Sequence, residues 1–180
     1  MLDNIPGEVL NFLTGPNTSL EECVSEGYRF ESPMDLERLR EIGKGLFFGR
    51  VRQHYDDKGI RANMEVCKFL LEPLKNANFH GGSDKERRIL IRLLLSPVAF
   101  VAGFNDGGAY FKKDGVKEYW EMRKPFPEIH QAEGGQIGFG VGTPLIYGMA
   151  DLIYVEKTSG TLYLGLSTNG KYFGFKKTLR

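Results

Sequence analysis

Three polar residues, each four positions from the next, are the first candidates for chemistry in this sequence. They are Glu72, Asn76 and His80, in the segment EPLKNANFHGG. Residues four apart lie on the same side of a helix, so these side chains would form one stripe along the edge of its apolar face. A carboxylate can accept a proton, and an amide oxygen is a neutral ligand suited to Mg²⁺. We interpret His80 as a structural residue at the helix end or as a contact at the rim of a site.

Two glycine-containing segments are the second group of candidates. The apolar run VAFVAGFN ends in Asp106-Gly107-Gly108, which brings a carboxylate out of a buried strand onto a turn. Such a carboxylate can accept a hydrogen bond from an adenine amino group, and Gly108 leaves room for the base. Further on, Gly138, Gly140 and Gly142 precede an apolar helix, where bare amides and the helix dipole favour a phosphate group. Taken alone, each motif also fits a solvated helix edge or an ordinary turn.

The elements that must position these residues follow from periodicity and turn residues. We expect the first helix to begin behind Ser32, Pro33 and Asp35, and the second to kink just before Pro73. The hairpin that ends at Asp106 has a tight Ser96-Pro97 turn and two central strands. The predicted elements are strand 28–32, helix 34–53, helix 60–79, strands 88–95 and 98–105, a short helix near 115–122, a glycine loop and helix over 134–151, strands 152–157 and 161–167, and a possible edge strand over 171–177.

The length and composition indicate one compact domain. The chain has 180 residues, which suits a single hydrophobic core, and we expect that core to start near Tyr28. Residues 1–27 show weak periodicity and are predicted to be a loosely attached N-terminal arm, with 28–180 as the domain itself. The 23 glycines concentrate between 103 and 148, which indicates a region that needs backbone without side chains.

Charge and cysteine content limit the classes of partner. With 24 basic and 23 acidic residues the net charge is +1, so we expect neither nucleic acid nor a membrane surface as partner. Cys23 and Cys67 lack the spacing of a metal site or a disulfide framework and are predicted to be reduced. No apolar run is long enough for a membrane span, and the first residues do not have a signal-peptide pattern, so we expect a cytoplasmic protein.

The three motifs, in this order, resemble the ATP-binding domain of the superfamily that contains DNA gyrase, Hsp90-type chaperones and sensor histidine kinases. The helix motif Glu-x-x-x-Asn is matched by Glu72 and Asn76, and the following Ala77 and His80-Gly81 look most like bacterial anti-sigma-factor serine kinases. The segment GFGVGTPLIYGMAD is similar to the superfamily's G-x-G-x-G loop and helix. SGTLYLGL resembles its closing Gly-Thr strand, which brings in Thr161. The resemblance covers residues 28–170.

This resemblance implies a fold, cofactors and residue roles. The fold is an α+β two-layer sandwich, the Bergerat fold, with a mixed, mainly antiparallel sheet and helices packed on one face. ATP and Mg²⁺ are the implied cofactors, with Asn76 as metal ligand and Glu72 as general base. The implied nucleotide-binding residues are Asn76, Asp106, Gly108, Gly138, Gly140, Gly142 and Thr161.

Several functions remain open at this level. The chain is expected to be a regulator that phosphorylates a serine on a protein partner, or a non-catalytic module in which nucleotide orders residues 109–137 and gates a protein surface. A stand-alone ATPase domain of the histidine kinase type is a further alternative. Self-phosphorylation is not expected, because none of His54, His80 and His130 precedes the domain. No Lys or Arg lies between Lys124 and Lys157, where a cation near the γ-phosphate is expected. The partner is a regulatory factor or its antagonist, and a homodimer is open.

Overall fold

The computed structural model describes residues 4–80, 87–108, 130–131, 137–138, 146 and 148–173. Over these residues the chain is an α+β fold with a five-stranded antiparallel sheet and helices on both of its faces. The helices are α1 (Gly7–Thr14), α2 (Leu36–Leu46), α3 (Gln53–Asp56) and α4 (Glu65–His80). The strands are β1 (Val24–Ser32), β2 (Arg87–Leu95), β3 (Ala99–Asn105), β4 (His130–Gln131), β5 (Ile137–Gly138), β6 (Leu152–Glu156) and β7 (Thr161–Ser167).

The sheet has the order β1-β2-β3-β7-β6, and β4 pairs separately with β5. The β2–β3 hairpin confirms the prediction from the Ser96-Pro97 turn, and Ser96 donates its backbone N–H to the carbonyl of Ala99 at 2.9 Å. The β6–β7 hairpin is also as predicted. The prediction of a mixed sheet is not confirmed, because every described strand pair is antiparallel. Short turns impose this direction on the β2–β3 and β6–β7 hairpins, while longer connections join β1 to β2 and β3 to β7.

The first long helical segment begins later than predicted and extends further. Its cap is Asp35, whose side chain accepts the Arg38 backbone N–H at 2.7 Å, while Ser32 belongs to β1. After α2 the chain continues through a π-helical segment, Phe47–Arg52, directly into α3. The prediction of one helix over 34–53 therefore located the segment correctly but missed its wider turns, which periodicity at 3.6 residues cannot indicate.

Helix α4 packs on the face of the sheet that carries the main hydrophobic core. It begins at Glu65 rather than at residue 60, because the Asn63 side chain accepts the Glu65 N–H at 3.1 Å and so precedes the first turn. Pro73 lies inside the helix, which continues to His80. The ring of Phe69 meets that of Phe100, at the start of β3, with centroids 6.3 Å apart.

The second face of the sheet is covered by α1, which corrects two predictions. Residues 1–27 were predicted to be a loosely attached arm and the helices to occupy one face. Instead Val9 and Leu13 are fully buried against β3 and neighbouring strands, in a second hydrophobic cluster. The ring of Phe12 lies over Gly165, where a Cβ atom would come within 2.6 Å of it. Only a glycine permits this contact without displacement of the helix. The first strand starts at Val24, four residues before the predicted start of the core.

The described part of the C-terminal region differs from the prediction in one element. Lys171–Phe173 forms a 3₁₀ turn and not an edge strand, and the Phe173 ring is buried against Tyr55, with centroids 4.9 Å apart. The Tyr55 hydroxyl donates to the Ala99 carbonyl at 2.7 Å, and burial raises the pKa of this phenol well above its usual value. The predicted short helix near 115–122 and most of the glycine segment lie outside the described residues. Ile146, Gly148 and Met149 are helical, as expected.

Two simpler predictions can also be compared with the structure. Cys23 and Cys67 are free thiols, as predicted. Across the residues given above, no helix has both the length and the apolar character required to pass through a bilayer.

The end of α4 is fixed to the sheet by a buried asparagine, Asn78. Its side-chain oxygen accepts hydrogen bonds from the Met34 backbone N–H at 2.8 Å and from the Ser32 hydroxyl at 3.0 Å. Its side-chain nitrogen donates to the Met34 carbonyl at 2.9 Å. Asn78 is 2% exposed, so these groups have no access to water as a substitute. The three bonds join α4 to the junction between β1 and α2.

We predict that Asn78→Ala lowers the free energy of unfolding by about 2–3 kcal/mol, because it leaves buried groups of Ser32 and Met34 without a partner. Chemical denaturation measures this change. Asn76→Ala is the matched control, since the same atoms are removed two residues earlier from a half-buried side chain with no described hydrogen bond. Equal losses in the two variants would contradict the role assigned to Asn78.

Candidate functional site

Three elements that carry predicted site residues, α4, the turn after β3 and the start of β7, reach the same strand-end edge of the sheet. Ser32, which contacts Asn78, pairs with Arg87, and three residues further along β2 Leu90 pairs with Asn105. Ser32 therefore lies level with the turn that follows β3. Since Phe69 contacts Phe100 at the opposite end of β3, α4 runs in the same direction as that strand. The C-terminal half of α4, including Asn76, and the turn at Asp106 consequently lie at the same edge.

The turn after β3 is built by two side chains that bond to its own backbone. The Asn105 side-chain oxygen accepts the Gly107 N–H at 2.9 Å, and Asp106 Oδ1 accepts the Gly108 N–H at 2.8 Å. Gly107 has a φ of 71°, a conformation that glycine adopts without steric cost. Asp106 is half-buried, and its Oδ2 atom forms no hydrogen bond among the described residues. The bond to Gly108 therefore holds the carboxylate in place at the turn.

Thr161, at the start of β7, supports this turn. The Asn105 side-chain nitrogen donates to Thr161 Oγ1 at 3.0 Å and to the Ser159 carbonyl at 2.9 Å. Along β7 the residues next to Thr161 alternate, with Leu162 in the core shared with α4 and Tyr163 in the core shared with α1. Thr161 lies on the Tyr163 face, so its hydroxyl bonds to the turn from the side opposite α4. Its predicted contact with nucleotide stays a prediction.

Glu72 and Lys75 form a half-buried ion pair on α4. The Lys75 Nζ atom lies 2.7 Å from Glu72 Oε1, and the two side chains are 28% and 20% exposed. These are the least exposed side chains of any ion pair in the described part of the chain. Shielding from water strengthens such a pair relative to one on the open surface. The predicted general base therefore has a cation as neighbour, one position from Asn76.

Asn76 is half-buried and its amide has no hydrogen-bond partner in the part of the chain that the structure describes. An amide oxygen in that state is free to bind a cation. No group of three or more His, Cys, Asp or Glu side chains forms a metal site among the residues described. A Mg²⁺ ion held by Asn76 would thus need other oxygen ligands, and nucleotide phosphates with water molecules are the set that Mg²⁺ prefers.

The glycine segment is only partly described. Gly138 lies in β5, where it pairs with His130 of β4. Gly140 and Gly142 lie outside the described residues, so their predicted phosphate contacts remain predictions. For His80 the structure gives the backbone alone, as the last residue of α4.

Three residues with clear roles at this edge were not singled out from the sequence. Asn78 fixes α4, Asn105 shapes the turn, and Lys75 pairs with Glu72. The Lys75 signal was present, since an acid three residues before a lysine on a helix is a standard ion-pair spacing. The partners of Asn78 and Asn105 come from distant parts of the chain, which local spacing cannot reveal.

A scan against protein-family models found no match to this chain, and a search of curated proteins found none either. The functional proposal therefore depends on the motifs and on the geometry of the sheet edge.

Proposed function

We propose that this chain is an ATP- and Mg²⁺-binding regulatory protein with the Bergerat fold, similar to anti-sigma-factor serine kinases. The observation that supports it most is that Asn76 and Asp106, 30 residues apart in sequence, belong to elements that reach the same strand-end edge of the sheet. Among the described residues, neither the side-chain oxygen of Asn76 nor Oδ2 of Asp106 has a hydrogen-bond partner. These are the groups that a magnesium-bound phosphate and an adenine amino group require.

In this proposal each end of the nucleotide has its own protein groups. The adenine amino group donates to Asp106, and the base lies beside Gly107 and Gly108, where a Cβ atom built on Gly107 would meet nothing within 4 Å. Asn76 contributes an oxygen ligand to Mg²⁺, which neutralises phosphate charge when it is bound. The segment with Gly138, Gly140 and Gly142 contributes backbone amides to the phosphates. Thr161 and Asn105 hold the adenine-binding turn in shape.

Glu72 is the group proposed to act in phosphoryl transfer. Its carboxylate accepts the proton of a serine hydroxyl on a protein partner, and the hydroxyl oxygen bonds to the γ-phosphorus as ADP leaves. Lys75 keeps this carboxylate in position within a half-buried edge of α4. Lys75 also places a positive charge one residue from Asn76, whereas the sequence has no Lys or Arg between Lys124 and Lys157, where the resemblance implies a cation. Transfer of this kind depends mainly on positioning and charge neutralisation.

The ion pair also favours a second function, a nucleotide-gated binding module without catalysis. The Glu72 carboxylate already forms an ion pair with Lys75 at 2.7 Å, and this interaction must weaken before the carboxylate accepts a proton. In a gated module Glu72 has no such task, and the pair simply stabilises the helix edge. Turnover distinguishes the two functions, because only the kinase converts ATP to ADP and phosphoserine. In either case the partner is a protein and the expected location is the cytoplasm.

We predict that Asp106→Asn weakens ATP binding about 10- to 100-fold, which corresponds to the 1.5–3 kcal/mol of a hydrogen bond to a charged group. GTP presents a carbonyl oxygen where adenine has its amino group, so it should bind poorly to the wild type. Isothermal titration calorimetry measures both affinities, with Asp57→Asn as an exposed control for the same chemical change. Equal affinity for ATP and GTP would exclude the adenine role of Asp106.

We predict that Asn76→Ala removes most of the increase in ATP affinity that Mg²⁺ produces, because it deletes the proposed amide ligand. The affinity measured in EDTA should change little, and the fold should stay intact. Asn169→Ala, at an exposed turn, is the control and should keep the full effect of Mg²⁺. A variant whose ATP binding depends on Mg²⁺ as strongly as the wild type would rule out Asn76 as a ligand.

We predict that Glu72→Ala lowers the rate of phosphoryl transfer or hydrolysis by about 10²- to 10⁴-fold while ATP still binds, as expected for loss of a general base. Radiolabelled ATP at saturation, with candidate partner proteins, gives the rate. Lys75→Met is the matched comparison, since it breaks the same ion pair but keeps the carboxylate. If the two variants lose activity equally, Glu72 acts through the pair and not as a base. A wild-type rate that survives Glu72→Ala removes Glu72 from the mechanism.

A further inference from the structure

Strand β1 is the outermost strand on one side of the sheet, which is a different edge from the strand ends that carry the candidate site. It has no partner on its outer side among the described residues. All nine of its residues, Val24 to Ser32, pair with β2, and no other described backbone group bonds to them. The opposite edge strand, β6, has five residues. Long edge strands are usually blocked by a proline, a bulge, charged side chains or a covering element. The regular nine-residue register with β2 shows that β1 has no bulge, and its sequence contains no proline.

The solvent face of β1 carries two exposed charges of opposite sign, Arg29 and Glu31, which are two residues apart. Directly across on β2, Glu31 faces Arg88, while Arg29 faces Leu90, which is 47% exposed. Among the described residues Arg29 forms no ion pair. An opposite charge directly across a strand pair is stabilising. Arg29 lacks such a neighbour on β2, and no described strand pairs with the outer side of β1.

We infer that β1 of a second copy of this chain pairs with this edge, antiparallel, about a twofold axis through Phe30. Arg29 of each copy then lies opposite Glu31 of the other, and both interactions occur twice, as twofold symmetry requires. The four central strands of the combined sheet are β2 and β1 of one copy and β1 and β2 of the other. Side by side across them lie Arg88 and Glu31 of the first copy, then Arg29 and Leu90 of the second. Each Glu31 lies between two arginines, and each Arg29 gains the acidic neighbour that its own sheet lacks. In this register the residues from Tyr28 to Ser32 of the two copies pair with each other, and the two five-stranded sheets become one.

The charges select this register from the alternatives. A twofold axis perpendicular to the sheet places the same face of both copies on the same side. Residues opposite each other must then have side chains on that same face, so the axis must pass through a residue of β1 and not between two residues. Centred on Arg29, the pairing would place two arginines opposite each other. Centred on Tyr28, it would place Arg29 opposite Gly27 and leave its charge unmatched. The Phe30 centre alone joins both pairs of opposite charge. On the core side it also brings the half-buried Phe30 rings together, beside the stacked Tyr28 ring.

The test uses charge reversal and mixing with the full chain. Sedimentation equilibrium at low ionic strength should show a dimer for the wild type at micromolar concentrations. Arg29→Glu alone and Glu31→Arg alone should each weaken dimerisation about tenfold or more, because both cross-strand pairs become repulsive. An equimolar mixture of the two variants should dimerise again, since every pair is then of opposite charge. Lys68→Glu, an exposed charge reversal on α4, is the control and should dimerise like the wild type.

Each other result overturns the inference. A wild type that remains monomeric at high micromolar concentration excludes the interface. Single variants that dimerise like the wild type place the contact elsewhere, and a folded mixture that stays monomeric rejects the register. Circular dichroism checks folding, because Glu31→Arg sets the new arginine against Arg88 in its own sheet. If that variant unfolds, the double variant Glu31→Arg with Arg88→Glu restores an opposite-charge pair within the sheet. The double variant is then mixed with Arg29→Glu in place of the single variant Glu31→Arg. None of these outcomes depends on nucleotide binding.

Discussion

The buried amide of Asn78 is the contact on which the candidate site depends. Its three hydrogen bonds fix the last turns of α4 to the junction of β1 and α2. Because β1 pairs in a fixed register with β2, and β2 with β3, these bonds also set the position of the helix along the sheet relative to the end of β3. A hydrophobic face alone holds a helix on a sheet but tolerates sliding, because the attraction is not directional. Buried hydrogen bonds with defined partners remove that freedom. Asn76, two residues earlier, is thereby held at the edge where β3 ends.

At this edge the structure combines rigid supports with unused polar atoms. The Asp106 turn is closed by its own side chains and supported by Thr161, yet one carboxylate oxygen has no described partner. Asn76 likewise has no described hydrogen bond, although it is half-buried. Half-buried polar groups usually find partners within the protein or in water. In the proposed function these two groups, on separate elements, are the ones that bind the nucleotide. The Glu72–Lys75 pair next to them is the part of the site that decides between a catalyst and a switch.

Much of the fold follows from the sequence, where local pattern and tertiary packing agree. The β2–β3 and β6–β7 hairpins were predicted because apolar runs joined by short turns allow few other arrangements. The apolar faces of α2 and α4 were evident from helical spacing. The packing of α1 was missed, since an eight-residue helix has a weak periodic signal and its place depends on the space above Gly165. The cap at Asp35 was misplaced by three residues because Ser32 is required by β1 and Asn78.

The candidate site, like the fold, could be predicted only where local sequence pattern was sufficient. Glu72, Asn76 and Asp106 were identified from residue type and spacing, since a four-residue helical interval and an acid before two glycines are local patterns. Their supports could not be identified in this way. Asn105 and Thr161 are 56 residues apart, and Asn78 and Met34 are 44 residues apart. The pairing of β3 with β7 brings Asn105 to Thr161, and the packing of α4 on the sheet brings Asn78 to Met34.

The most direct test of the central claim is an NMR titration of the ¹⁵N-labelled chain with ATP and Mg²⁺. If the sheet edge binds nucleotide, the side-chain amide signal of Asn76 and the backbone signals of Gly107 and Gly108 should shift on saturation. The side-chain amide of Asn63, at the other end of α4, should not. ATP that leaves the Asn76 and Gly108 signals unchanged at saturating concentration, or that shifts signals only away from this edge, would contradict the account.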